Sequence, residues 1–546
     1  MKAEPLTSVD AAWLHMEHPS NLMMVTGVLA FDEPIDFERL TLAIEQGLMR
    51  YPRFRQRIVE PRRPLASPRW EVDPGFDIRS HVHRVALPSP GDKVALQDLV
   101  SDLMSTPLDF SKPLWHFHLI EGYGSGCAVL TRLHHAIADG IALIEVLLSL
   151  TDQADVVPEP EVPKPPAGPW QRLGAFSEDL LKPAVDIFKK RLSEGLPGSA
   201  PLTRTQVAAA DLLRPAAEAV TRAVVSAEHA LQDGLDWILH PERALDLLQR
   251  AAIGADALGK ILLMSPDPKT AFKGPLGVAK RAAWSEPIPL QDVKRVGRAL
   301  GATVNDVLLA AAAGALRRYL AGDEPLYDIE VRAIVPVNLR RREEAGQLGN
   351  RFGLVFLPMP VWIVNPLDRL FELKQRMDAI KESPEAVIAL GLLGAIGMAP
   401  TEIEHLVLNL FGTRGTAVMT NVPGPRDPIS LAGKRVKSLM FWVPQAGRLG
   451  LGLSILSYAG DVSIGVATDA GLVPDPERIV RHFHEEFEVL LEIVRREEED
   501  GRRLAAEREA EGIPRCGAPT TTGKSCLNRV ESAGGRCHFH RRARRK

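Results

Sequence analysis

The sequence predicts an α/β protein, and three observations carry that prediction. Two blocks, Met1–Thr151 and Gly274–Arg496, each alternate short β-branched apolar runs with longer runs of helical periodicity. A proline-rich break divides them, so the pattern is interrupted once, near the middle. Hydrophobic residues make up 45% of the 546 and charged residues 25%, a globular balance that excludes a wholly disordered chain.

In the first block, residues 1–151, Val25–Phe31 is apolar and β-branched enough for a strand. Asp36–Met49 sets Phe37, Leu40, Leu42, Ile44 and Leu48 at helical spacing. Leu114–Ile120 and Ala128–Leu133 read as two further strands, and Ile141–Leu150 as a helix. Residues 152–273 form a connector. Asp152–Pro169 is crowded with prolines and acids, which makes a stiff, extended linker. Trp170–Met264, rich in Ala, Leu, Glu and Arg, reads as several helices in series. In the second block, residues 274–496, Thr303–Leu320 is a long helix with Thr303 as N-cap and Asp306 in its first turn. Val331–Val337, Gly353–Pro360, Ala417–Asn421, Leu451–Ser457 and Val462–Ala467 read as strands, and Pro474–Glu492 as an amphipathic helix. Residues 497–512 read as a separate solvated charged helix, and 513–546 as a small Cys/His module with a basic tail.

Charge and cysteine usage exclude several classes. Lys plus Arg is 66 and Asp plus Glu is 69, a net charge of −3, which argues against a fold built to grip nucleic acid. Four cysteines in 546 residues exclude a disulfide-stapled scaffold. Ala386–Pro400, the longest apolar run, is short of the roughly 20 residues a bilayer requires. The first residues carry early charges and no apolar core, so the chain reads as a mature cytoplasmic protein.

The sharpest motif is LHHAIADG, Leu133–Gly140. A strand delivers two adjacent histidines, His134 and His135, then a short turn, then Asp139 and Gly140 at a helix start. Neighbours at a strand end point to opposite sides, so one imidazole is expected to face a cavity and the other to pack inside. Imidazole titrates near neutrality, which suits a general base. Asp139 fixes the loop or neutralises a cation, and Gly140 permits a backbone approach that a Cβ would block. There is no GxSxG elbow, so a histidine acting directly on an acceptor hydroxyl is simpler than an acyl-enzyme.

HHxxxDG resembles the active-site motif of acyl-CoA-dependent acyltransferases related to chloramphenicol acetyltransferase and the peptide-synthetase condensation domains. Further segments narrow the match to the bacterial wax ester synthase/diacylglycerol acyltransferase family. They are PLDFSKPLW (Pro107–Trp115), VNDVLLA (Val304–Ala310), VPVNLR (Val335–Arg340), TNVPGP (Thr420–Pro425), SYAGDVSIGVATDAGLVPDPE and the opening LTSVDAAWLHME. The resemblance runs from about Leu6 to Arg495. It implies two similar α/β halves with mixed sheets, joined by a crossover, with a tunnel between them. It implies that His135 is the general base, with no acyl-enzyme, taking the proton of a long-chain alcohol or diacylglycerol hydroxyl that attacks a long-chain acyl-CoA. The product is a wax ester or triacylglycerol, and no catalytic cofactor is needed. His134 is then structural and Asp139 pairs with an arginine, for which Arg340 is the candidate. Substrates this apolar also imply peripheral contact with a membrane or lipid droplet. A same-fold acyltransferase for another hydroxyl, and a non-catalytic lipid-binding protein, are the alternative readings.

Other residues keep two readings. Pro113, Leu114 and Trp115 either line an acyl tunnel or pack a strand. Asn305 and Asp306 either contact ligand or cap a helix. Asn421, Pro423 and Gly424 lie in a rigid loop that either approaches the reacting centre or simply connects. His116 and His118 lie opposite Trp115 on their strand, His81 and His83 alternate in the same way, and all four read as strand-face residues rather than metal ligands. The apolar run Val387–Met398 and the connector helices read as core or helix contacts. Cys516, Cys526, Cys537 and His540 give C-x9-C-x10-C-x2-H, a closed tetrahedral donor set for structural zinc, with His538 as the rival fourth ligand and a disordered, reduced tail as the alternative reading.

Overall fold

A computed structural model describes residues 4–60, 68–152, 264–321, 348–350, 352–381, 412–445 and 449–510, with shorter stretches at 326, 329–340, 383, 389 and 516. The connector reading of Asp152–Pro169 and Trp170–Met264 lies almost wholly outside the described residues, as do the run Val387–Met398 apart from Ala389 and the module after Cys516.

Two mixed sheets carry the architecture. The first orders five strands as β15-β2-β7-β6-β5: Ser438–Trp442, Met24–Phe31, Gly126–His134, Trp115–Tyr123 and Val82–Ala86. Only β5 and β6 run parallel; β6, β7, β2 and β15 alternate in direction. The second sheet is β11-β10-β12-β16-β17-β8: Phe352–Met359, Val331–Asn338, Ala417–Pro423, Leu451–Tyr458, Asp461–Asp469 and Lys280–Trp284, with β9 (Ile288–Pro289) on β17. A small sheet joins β1 (Glu4–Pro5), β4 (Arg69–Val72) and β3 (Gln56–Val59), and β13 (Ser430–Leu431) pairs with β14 (Lys434–Arg435).

Helices form where the apolar period and a cap coincide. In α2 (Phe37–Leu48), Asp36 accepts the Arg39 N–H at 2.9 Å, and Leu40, Ile44 and Leu48 turn one stripe inward. The others in the first block are α1 (Ser8–His15), α3 (Lys93–Met104) and α4 (Gly140–Ser149). The second block adds α5 (Leu290–Leu300), α6 (Val304–Ala321), α7 (Pro366–Lys381) and α8 (Pro476–Ala510). The α6 helix is buried through its run of alanines and lies against α8, where small side chains let two helix backbones approach. No single described helix is long and apolar enough to cross a membrane.

Two differences from the sequence reading stand out. The amphipathic segment near Pro474 and the charged segment beyond Arg495 are one helix, α8, because Glu, Arg and Ala continue a helix after its apolar stripe ends. Strand β15 comes from the second block yet pairs with β2 of the first, Leu439 opposite Leu29 and Phe441 opposite Gly27. The first sheet is therefore completed by a strand some 400 residues away in sequence, a pairing that local periodicity does not encode.

Candidate active site

Strand β7 is buried along its whole length and ends at His134. The turn that follows is held on three sides. His134 N–H donates to the Leu114 carbonyl at 3.0 Å, His135 N–H to the Met23 carbonyl at 2.7 Å, and Asp139 N–H to the Gly349 carbonyl at 3.3 Å. Ala138 and Gly349 form a short parallel bridge, which docks the second block on the turn. Asp139 then starts α4 by accepting the Ala142 N–H at 3.0 Å.

Both histidines are buried from solvent, at 0% for His134 and 4% for His135. They differ in partners rather than exposure, because the second block covers the strand end. His134 Nδ1 accepts the Ala136 N–H at 3.1 Å, which leaves Nε2 as the protonated nitrogen, 3.6 Å from the Glu17 carboxylate. Glu17 also accepts the Met23 N–H. His134 is thus locked into the loop.

His135 lies with its ring stacked on Trp13 at 4.2 Å and edge-on to Phe352 at 5.7 Å. Its Nδ1 has no hydrogen-bond partner among the described residues. Asn350 Nδ2 donates to the His135 carbonyl at 2.9 Å and to Asp10 at 2.8 Å, which ties α1, the histidine turn and the second block together. Burial drives the His135 imidazole well below its ordinary pKa, against the opposing pull of the Asp139 carboxylate. The resting ring is neutral at pH 7 and is able to accept a proton.

Arg340 Nη2 donates to Asp139 at 2.8 Å and to the Gly349 carbonyl at 2.9 Å. Both side chains of this pair are almost wholly buried, so the Asp139 carboxylate faces a fixed cation and a helix N-terminus, away from acid–base work.

A Cβ at Gly140 would meet no described protein atom within 4 Å, so no neighbouring backbone makes the close approach that glycine would permit there. Gly140 instead borders an apolar pocket with Val25, Gly27, Thr131, Leu133 and Leu143 from the β2–β7 face and α4, and Leu439 and Phe441 from β15.

The remaining predicted residues divide. Pro113, Leu114 and Trp115 are buried, and Trp115 is a core side chain: its Nε1–H donates to the Phe54 carbonyl at 2.9 Å and its ring stacks on His81 at 4.4 Å. The Leu114 carbonyl supports His134, so this segment positions the turn and the tunnel-lining reading of Trp115 is set aside. Asp306 is buried and forms a reciprocal cap with Thr303, at 2.8 and 3.2 Å, which corrects its ligand-contact reading to the capping one. Asn305 Oδ1 accepts from Asn421 Nδ2 at 2.8 Å, bringing those two segments together. Pro423 ends β12, exposed, opposite Ser457. A Cβ on Gly424 would lie 2.4 Å from the Ser457 carbonyl, so backbone packing requires that glycine. Cys516 is buried; Cys526, Cys537 and His540 lie outside the described residues.

Trp13, Glu17, Asn350 and Phe352 were not picked out individually from the sequence. Trp13 and Glu17 stand in LTSVDAAWLHME, one of the segments that carried the resemblance, so that signal was present without a role attached.

The chain is similar to known proteins along most of its length. Residues 6–308 match the wax ester synthase/diacylglycerol acyltransferase catalytic domain, and residues 348–491 match the C-terminal domain of the same family. A probable diacylglycerol O-acyltransferase of Mycobacterium tuberculosis is 30% identical over 510 residues, covering 92% of this chain and 98% of that protein. A putative diacylglycerol O-acyltransferase of Mycobacterium bovis matches equally. Among solved structures, the wax ester synthase/diacylglycerol acyltransferase of Marinobacter aquaeolei superposes with a TM-score of 0.58 at 21% identity, covering 90% of this chain and 99% of that one. The starter condensation domain of rhizomide synthetase shares the fold at a TM-score of 0.50 and 13% identity, covering 90% of this chain and 94% of that one. The chain is an acyltransferase and belongs to the wax ester synthase/diacylglycerol acyltransferase family.

Proposed function

We propose that the protein transfers a long-chain acyl group from acyl-CoA to diacylglycerol, or to a long-chain alcohol, with His135 as general base. The observation that carries this reading is a buried, neutral imidazole held face-on by Trp13, with its turn tied at the backbone to Met23, Asn350 and Gly349. His135 takes the proton as the acceptor oxygen attacks the thioester carbonyl. A C–O bond forms while the carbonyl π pair moves onto oxygen. When that pair returns, the C–S bond breaks, and the thiolate of CoA recovers the proton from the imidazolium. No acyl-enzyme forms. Holding the imidazole rigidly lowers the entropic cost of bringing the three groups together.

Asp139 and Arg340 act on position only, fixing the turn against α4 and the second block. The apolar pocket beside Gly140 supports binding of an acyl or alkyl chain, since its walls offer hydrocarbon and almost no hydrogen-bonding group. Gly140, which lines it, lies five residues after His135 in sequence. On the sequence alone we also propose structural zinc at Cys516, Cys526, Cys537 and His540, and peripheral contact with a lipid surface. Release of free thiol from palmitoyl-CoA, followed with dioleoylglycerol and with hexadecanol in parallel, tests the reading. Thiol release that needs an acceptor supports it and ranks the two acceptors. Folded protein that releases none with either acceptor overturns it.

A further inference from the structure

Strands β5 and β6 run parallel with His83 beside His118, and β6 carries His116 two residues earlier. Alternation puts His116 and His118 on one face of β6, and the register puts His83 on that same face. The three imidazoles converge, with ring centroids 5.0 Å apart for His83 and His116, 5.2 Å for His83 and His118, and 6.0 Å for His116 and His118. One nitrogen from each lies within 4.8 Å of the other two. We propose that His83, His116 and His118 form a binding site for a divalent transition metal of the zinc class, separate from the acyl-transfer machinery.

Three features support it. Imidazole nitrogen is the preferred donor for zinc, nickel and copper, and three imidazoles leave one position for water. His118 Nδ1 is buried with no hydrogen-bond partner among the described residues, and a bound ion gives such an imidazole a reason to be there. Strand alternation and the parallel register place all three donors on one face of the sheet. Metal–nitrogen bonds of about 2.0–2.1 Å place tetrahedral donors about 3.4 Å apart. The rings must therefore close by about an ångström, and His83 and His116 are only partly buried. Arg132 shares this face, opposite His116. It opposes a second cation, but its Nη2 donates to the Thr106 carbonyl and lies 3.6 Å from the Met24 sulfur, so it is held by other groups.

The proposal does not depend on the catalytic reading. Its test is a cobalt(II) titration of the full chain with Cys516, Cys526 and Cys537 changed to Ser, which removes the thiolates of the C-terminal segment. The expected result is one cobalt per chain, with d–d absorption, no thiolate charge-transfer band, and displacement by zinc. Affinity should fall at least tenfold in His116→Gln and in His83→Asn, the latter at a partly buried position outside the hydrophobic core, with circular dichroism checking each fold. Cobalt binding equal in the parent and a folded His83→Asn protein, or no saturable binding by the parent, would overturn it.

Discussion

Removing both partners of the Asp139–Arg340 pair should cost no more than removing one. The two side chains meet at 2.8 Å with only 6% and 4% of their surfaces exposed. Asp139→Asn keeps an oxygen for the Ala142 N–H but removes the carboxylate that faces the Arg340 guanidinium, which keeps its bond to the Gly349 carbonyl. Losing one partner of a buried pair costs about 3–5 kcal/mol, and the retained carbonyl places this case near 3. Arg340→Met strands the carboxylate and should cost a similar amount. Asp139→Ala loses the helix cap as well, adding about 1 kcal/mol. The double variant Asp139→Asn with Arg340→Met leaves no unpaired charge, so it should cost about 3 kcal/mol rather than the roughly 6 of independent sites. Urea unfolding of the four proteins at equal m-value reads the coupling directly. Single-variant costs that add to within about 0.5 kcal/mol would show that the pair is not the clamp described.

Gly424→Ala should destabilise by about 1–3 kcal/mol, because its Cβ would sit 2.4 Å from the Ser457 carbonyl; an unchanged melting temperature would contradict the close approach. Gly140→Leu should leave the fold intact, since the space there is open, yet lower transfer from palmitoyl-CoA at least tenfold relative to a short acyl-CoA; equal loss for both would separate the pocket from acyl binding. Stability should fall as pH drops below about 6.5. Burial depresses His135, His116 and His118 in the fold, so in that window the unfolded chain binds more protons and each unit of acid favours it. Asp10 and Asp267, raised by burial, work the other way, but burial also depresses His81, His83 and His484, so the histidines outnumber them. A melting temperature that is flat or higher at pH 5 than at pH 7.5 would refute this.

What the sequence revealed and what it hid follow from the range of the interactions. Strands such as Val25–Phe31 and the α6 helix with its Thr303 cap were legible because period and capping are local. The histidine turn was legible because strand, turn and cap lie within a dozen residues. Strand β15, the Asn350 bridge to His135 and the stacking of Trp13 on that ring were not, because each joins segments more than a hundred residues apart. The histidine cluster shows the same limit. Alternation within β6 was readable, but the parallel register that adds His83 exists only once β5 and β6 pair. Trp115 was ambiguous because a tunnel wall and a core ask for the same side chain.

The most direct test of the account is His135→Ala, assayed for acceptor-dependent thiol release from palmitoyl-CoA beside the parent protein. The account predicts a loss of at least a hundredfold, in line with the 10²–10⁴ that a positioned base contributes, with the protein still folded. A folded His135→Ala protein that keeps activity within about threefold would contradict the claim that this imidazole moves the proton.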